Sequence, residues 1–162
     1  MSASPLLSII TINLNNASGL ARSIASLEPL RFNRHCEFIF VDGRSVDDSL
    51  LVASGFYSPE LSISEIDDGV YDAMNKGLAL ANGIFCYWLN SGDEFLPQCW
   101  SRLSFMLQNQ SDALLACGTI PFTPDGLDQP ARFAHPSLLP HSSLNHQSLF
   151  FRTNVILSLI HI

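Results

Sequence analysis

The sequence predicts an α/β domain with a mostly parallel central sheet and helices on both faces, and three observations carry that prediction. Short apolar runs alternate with segments whose apolar residues recur at helical spacing. The runs are continuously apolar, as strands buried on both faces are. At 162 residues, with 47% apolar and 14% charged side chains, residues 1–162 read as a single domain, long enough to bury a core and too apolar to be disordered.

Leu6 to Ile12 (LLSIITI) is the first buried strand. Asn15, Asn16 and Ser18 then offer caps for a helix over 17–27, with Leu20, Ile24 and Leu27 on one face, and Pro29 stops it. Glu37 to Val41 (EFIFV) is the second strand, followed by a turn at Asp42-Gly43-Arg44-Ser45. Ser45-Val46-Asp47-Asp48 fits the S-x-x-D capping pattern and opens a short helix toward Ser54. Leu61 to Ile66 is a weaker third strand, Asp72 to Ala81 a helix, and Ile84 to Leu89 (IFCYWL) the most apolar strand. A helix at Trp100 to Leu107 and a strand at Ala113 to Cys117 follow. From Gly118 to Pro140 no period holds, so loops and one hairpin are expected there. Ser148 to Arg152 is a late strand, and Asn154 to Ile162 a closing helix that is apolar nearly all round.

Composition narrows the function. Eight basic against fifteen acidic residues give a net charge of −7, and Lys76 is the sole lysine, so no basic face for nucleic acid can be built. The four cysteines, at 36, 86, 99 and 117, form no C-x-x-C, and Cys36 and Cys86 lie in apolar runs as small core residues. A reducing, cytoplasmic compartment is expected. No signal-peptide n-region precedes the early apolar stretch, and the run from Leu78 to Leu89 is too short to span a bilayer. The dinucleotide fingerprint, the phosphate loop G-x-x-x-x-G-K-[ST] and the nucleophile elbow are all absent.

In parallel sheets ligands bind at the carboxyl ends of the strands. That rule selects Asn13 and Asn15, then Asp42, then Glu65 to Asp68, then Asn90 to Asp93. Three of these four loops carry carboxylates, a concentration that stands out in a chain with so few charges.

Five segments taken together resemble the family 2 glycosyltransferases of the GT-A fold, in the bacterial branch that builds cell-surface polysaccharides such as capsule, O-antigen and colanic-acid-type polymers. They are Ser8 to Asn15 (SIITINLN), Phe38 to Ser45 (FIFVDGRS), Ile63 to Gly77 (ISEIDDGVYDAMNKG), Leu89 to Asp93 (LNSGD) and His146 to Arg152 (HQSLFFR), in family order. The resemblance implies a GT-A-like (Rossmann-like) sheet and transfer, with inversion, of a sugar from a UDP- or GDP-linked donor to a glycan or lipid-linked acceptor; the alternatives are a nucleotide-sugar-binding remnant without turnover and an unrelated α/β binding module.

The resemblance also implies roles. Thr11, Asn15, Asp42, Asp67, Asp68, Asn75, Lys76 and Asn90 fall on donor-binding positions. Asp93 falls on the motif that holds Mg²⁺ or Mn²⁺ against the diphosphate, while Asn90 and Gly92 stand where many members carry aspartates. Gly43 stands where many carry a second aspartate after Asp42. His146 and Gln147 fall on the acceptor side, and Arg152 is a further candidate for phosphate. Structural alternatives stay open: a β-branched strand residue for Thr11, a turn residue for Asp42 and for Asp93, and an i, i+4 ion pair with Asp72 for Lys76.

Inversion needs a general base to take the acceptor's proton. No Asp or Glu follows Asp128, which leaves Asp93 and Glu94 as candidates. Family members continue with helices that complete the acceptor part and contact the membrane. The resemblance therefore marks the chain as shortened at its C-terminal end, placed in the cytoplasm at the inner membrane face, and prone to self-association through its apolar tail.

Overall fold

The computed structural model describes residues 4–109, 114–116 and 149–159. The strands are β1 (Leu7–Asn13), β2 (Cys36–Asp42), β3 (Ser62–Ser64), β4 (Phe85–Trp88), β5 (Leu114–Ala116) and β6 (Leu149–Arg152). The helices are α1 (Ala17–Leu27), α2 (Ser49–Ser54), α3 (Val70–Leu80), α4 (Trp100–Gln108) and α5 (Thr153–Leu159). The strands form one six-stranded sheet in the order β3-β2-β1-β4-β6-β5. β1 pairs in parallel with β2 and β4, and β2 with β3, while β6 runs antiparallel to both β4 and β5.

The sheet is mostly parallel, and helices cover both faces, as the apolar strands predict. All seven residues of β1 are buried, because helices cover both its faces. On one face Leu7, Ile9, Phe85, Tyr87 and Leu89 pack with Leu27 of α1 and Leu103 and Leu107 of α4, and nearby Phe40 meets Leu20, Ala53 and Tyr57. On the other, Ile10, Ile12, Ile39, Val41, Cys86 and Trp88 pack with Ala73 and Leu78 of α3, joined by Ile156 of α5. Burial pushes the Cys36 and Cys86 thiols up to about 12, so both sit as neutral core residues.

The differences from the sequence reading have local causes. α2 starts at Ser49, because the Ser45 hydroxyl is used elsewhere and Asp47 Oδ1 accepts from Ser49 N at 3.0 Å instead. β3 stops at Ser64, where the chain turns to deliver Glu65 N to Asp42 O at 3.0 Å. α3 begins two residues early, at Val70, after Gly69 with φ 109°. α5 begins at Thr153, which is buried, Ile156 packs on the core and Leu157 is exposed, while residues 160–162 of the expected closing helix lie outside the described residues. The expected loops and hairpin at 118–140, together with Cys117, lie outside the described residues.

Gly77 sets how closely α3 approaches the sheet. A Cβ there would lie 2.3 Å from Ile10 Cγ2 and 3.2 Å from Val41 Cγ2. Gly77→Ala is therefore expected to destabilise the fold by about 1–3 kcal/mol, the usual scale of overpacking. A urea melt followed by circular dichroism checks this; an unchanged midpoint would show that α3 can shift without cost.

Candidate functional site

The loops that leave the carboxyl ends of β1, β2, β3 and β4 meet at one rim. Backbone bonds join them: Gly43 N donates to Asn13 O at 2.9 Å, Glu65 N to Asp42 O at 3.0 Å, and Ser91 N to Ile12 O at 3.0 Å.

Asp42 lies at the centre, fully buried. Its Oδ1 accepts from Asn13 Nδ2 at 3.0 Å and from the Ser45 hydroxyl, and its Oδ2 from Ser45 N and Ser64 Oγ, each at 2.8 Å. Burial raises the pKa of this carboxyl, but the hydrogen bonds from Ser45, Asn13 and Ser64 outweigh it and hold the group below the usual carboxylate value. Ser45 Oγ also accepts from Asn13 Nδ2 at 3.1 Å and from Asn15 N at 2.7 Å, and Asn15 Oδ1 accepts from Val46 N at 2.8 Å. Asn15 and Arg44 hold left-handed backbones, φ 48° and 62°, within this knot. Asn13 Oδ1 stays buried with no hydrogen-bond partner.

Asp67 reaches the same knot. A Cβ at Gly43 would meet Asp67 Oδ2 at 2.7 Å, so the absence of a side chain at 43 makes room for that carboxylate. Asp67 Oδ1 accepts from Gly69 N at 3.0 Å, while Asp68 is exposed. Lys76 forms ion pairs with Glu65 and Asp72, each at 3.0 Å, and donates to Ile66 O at 2.8 Å. The i, i+4 pair expected with Asp72 is thus present, joined by two further partners, and the hydrogen bond to Asp72 leads the effects that raise the Lys76 pKa. Asn75 is exposed on α3.

The 90–93 loop is fastened to α1. Asn16 caps that helix, accepting from Gly19 N at 3.1 Å, and its Nδ2 donates to Ser91 O at 2.9 Å. Ser23 Oγ donates to Asp93 O at 2.7 Å and accepts from Gly92 N at 2.9 Å. Asn90 and Asp93 are half-buried, and Glu94 is exposed.

Two residues named from the sequence stand apart from the rim. Thr11 is fully buried, and its hydroxyl accepts from Tyr57 at 2.9 Å, so it is a strand residue inside the core. Arg152 pairs opposite Phe85 at the start of β4, at the far end of the sheet from Asn90 to Asp93, with its guanidinium 5.0 Å from the Phe85 ring centroid. His146 and Gln147 lie outside the described residues. Sequence reasoning missed Asn16 and Ser23 as loop anchors and Ser45 as a partner of Asp42. Ser45 was visible as a polar residue three places after Asp42, but its pattern read equally well as a helix cap.

The donor set tests the fit of a divalent metal. The 90–93 loop carries one carboxylate, Asp93, with Glu94 next to it, and among the described residues no three His, Cys, Asp or Glu side chains converge. The loop does not by itself build a resident metal site.

An open α/β sheet whose polar loops gather at its carboxyl ends has its candidate ligand site there. Residues 8–158 match Glycosyl transferase family 2, and the chain belongs to that family of transferases. It is 40% identical over 97 residues to an uncharacterized glycosyltransferase of Mycobacterium tuberculosis, covering 59% of this chain and 37% of that one. It is 29% identical over 159 residues to a PGL/p-HBAD biosynthesis glycosyltransferase of Mycobacterium bovis, covering 93% of this chain and 60% of that one. The chain thus spans between about a third and three fifths of the length of these curated relatives.

Its fold is similar to that of S. aureus TarS residues 1–349, solved in complex with UDP-GlcNAc, with a TM-score of 0.74 and 15% identity over 95% of this chain and 47% of that one. It is also similar to glucosyl-3-phosphoglycerate synthase from Mycobacterium tuberculosis, solved with Mn²⁺ and UDP-glucose, with a TM-score of 0.56 and 22% identity over 69% of this chain and 42% of that one. Both likenesses place the chain in the GT-A fold. No helix among the described residues is long and apolar enough to cross a membrane.

Asp42→Ala would strand the donors of Asn13, Ser45 and Ser64, and should cost about 2–4 kcal/mol of stability, as loss of a buried hydrogen-bonded charge does. The pH dependence has a definite sign. A folded pKa below the unfolded value of about 3.9 gives stability that is present above that value and lost as pH falls through the folded pKa. Thermal melts from pH 7 down to pH 3 should show a smaller acid loss in the variant than in the parent. Equal acid sensitivity would deny Asp42 this role.

Proposed function

We propose that this chain is the donor-binding part of an inverting glycosyltransferase, one that takes a UDP- or GDP-linked sugar and passes it to a glycan or lipid-linked acceptor in cell-surface polymer or glycolipid synthesis. The observation that carries this reading is the meeting of four strand-end loops at one rim, three of them gathered on Asp42 and the fourth fastened to α1, a platform for a polar ligand in the place where such sheets bind nucleotides. The solved neighbours holding UDP-linked sugars support the donor class, and the mycobacterial relative named for PGL/p-HBAD biosynthesis supports the acceptor class.

In this reading Asp42 is a positioning residue: its carboxylate is fully buried and accepts from Asn13, Ser45 and Ser64, which it holds together. Asp67, Asp68, Asn15, Asn75 and Asn90 line the donor side, and Lys76 holds the 65–67 turn in shape against α3. Asp93 is the carboxylate that a Mg²⁺ or Mn²⁺ ion carried on the diphosphate would meet; such an ion would offset charge on the leaving group. Asp93 and Glu94 are the carboxylates of that loop available to take the acceptor's proton. The reaction is set on the cytoplasmic side of the membrane, in keeping with the free cysteines at 36, 86 and 99.

Calorimetric titration with UDP-glucose, UDP-GlcNAc and GDP-mannose in the presence of Mn²⁺ tests the reading. One donor is expected to bind saturably and to release its nucleoside diphosphate slowly to water. Binding without release would identify a donor-binding domain that lacks turnover, and no binding of any nucleotide would overturn the reading. Asp93→Asn should abolish the gain in affinity that Mn²⁺ confers while leaving the melting temperature unchanged; a gain that persists would remove Asp93 from the metal role.

A further inference from the structure

We propose that Arg22 is the residue that binds the donor's diphosphate, placing a guanidinium beside the 90–93 loop where the chain has only one carboxylate to offer a metal. The inference rests on the nucleotide-sugar reading and assigns a residue to its diphosphate end.

The argument begins with charge. The rim is acidic: Asp47, Asp48, Glu65, Asp67, Asp68 and Asp93 all stand in loops leaving the carboxyl ends of the strands. A diphosphate brought to such a rim is repelled unless cations meet it, and a desolvated phosphate needs donors as well as charge. The chain has eight basic residues to draw on. Lys76 is already engaged by Glu65, Asp72 and Ile66 O. Arg31 is engaged by Glu28 and by Gly55 O, and Arg152 lies at the amino end of β4. Arg34 precedes β2 and so stands at that same far end, Arg102 is carried on the exposed side of α4, and Arg132 lies outside the described residues. Arg22, Arg44 and Arg102 remain as cations that make no ion pair among the described residues, and of these Arg22 has its guanidinium 3.6 Å from the Cβ position of Gly92 in the 90–93 loop.

Geometry chooses between them. Arg44 sits on the exposed turn after β2, beside Asp42. Arg22 follows the first turn of α1, next to Ser23, whose hydroxyl holds Gly92 N and Asp93 O. Gly92 has φ 105°, a backbone that side chains rarely adopt, and a Cβ there would lie 3.6 Å from Arg22 Nη2. The loop therefore presents no side chain between the guanidinium and the turn that carries Asp93. Arg22 and Asp93 flank one turn at the end of β4. A planar guanidinium with several N–H groups suits paired phosphate oxygens better than an ammonium does.

The test uses the whole chain and compares UDP with uridine by calorimetric titration, in EDTA and in Mn²⁺. In EDTA, Arg22→Gln is expected to weaken UDP binding roughly 10- to 100-fold, the scale of a lost charge-assisted hydrogen bond, with uridine affinity unchanged. Arg22→Lys should recover part of the loss. The melting temperature should stay within about 1 °C of the parent, since an exposed side chain away from core features contributes little. If the parent prefers GDP, the same comparison is made with GDP and guanosine. Unchanged UDP affinity in Arg22→Gln, or equal losses of UDP and uridine, would overturn the role of Arg22 while leaving the nucleotide-sugar reading in place. A parent that binds neither UDP nor GDP would overturn both.

Discussion

The buried carboxylate of Asp42 is the interaction on which the carboxyl end of the sheet depends. An ionised group out of water costs several kcal/mol unless hydrogen bonds replace its hydration. Here Asn13, Ser45 and Ser64 replace it, and they come from the ends of β1 and β3 and from the turn after β2. Satisfying one charge therefore fixes the relative positions of three chain segments. The left-handed backbones at Asn15 and Arg44 persist because the knot holds them: Asn15 donates its N–H to Ser45 Oγ and accepts from Val46 N.

The other side of the rim is held differently. Among the described residues, two short polar side chains fasten the 90–93 loop, Asn16 at the cap of α1 and Ser23 within that helix. Ser23 and Asn16 grip backbone atoms, so the loop's path follows the helix. The buried apolar side chains of α1, Leu20 and Leu27, seat the helix on the sheet, which ties the loop's position to core packing. One half of the site is thus set by electrostatic satisfaction and the other by apolar burial passed along a helix. A ligand bridging both halves would meet a platform whose parts are fixed before it arrives, and this spares the ordering cost of binding.

The two ends of the sheet carry different chemistry. At the amino end Glu37 accepts from Ser8 Oγ, Asn82 N and Gly83 N, which closes the turn between α3 and β4. Its carboxylate is used up within the fold. Among the described residues at the carboxyl end acidic side chains outnumber their cationic partners, and Lys76 neutralises only part of them. That imbalance makes the ends of the strands the place where an added cation, from the protein or from solution, changes what can bind.

The sequence by itself determined the elements and the class. Every strand of the sheet was legible, because continuous apolar runs between turn residues have few other uses, and so was the gathering of the polar segments after β1 to β4 at one end of the sheet. The i, i+4 pair of Asp72 and Lys76 was legible because one helix fixes that spacing. Tertiary structure alone decided the rest. β6 runs antiparallel although its apolar run reads like the others, since strand direction depends on the route the chain takes before it. Ser45 serves Asp42 and not the helix after it, because a buried charge competes for its hydroxyl more strongly than a helix end does. Thr11 turns inward to Tyr57, which lies 46 residues away, and Ser23 meets Gly92 across 69. Local spacing encodes which neighbours share one element, but contacts between loops exist only after the sheet has brought those loops to one edge.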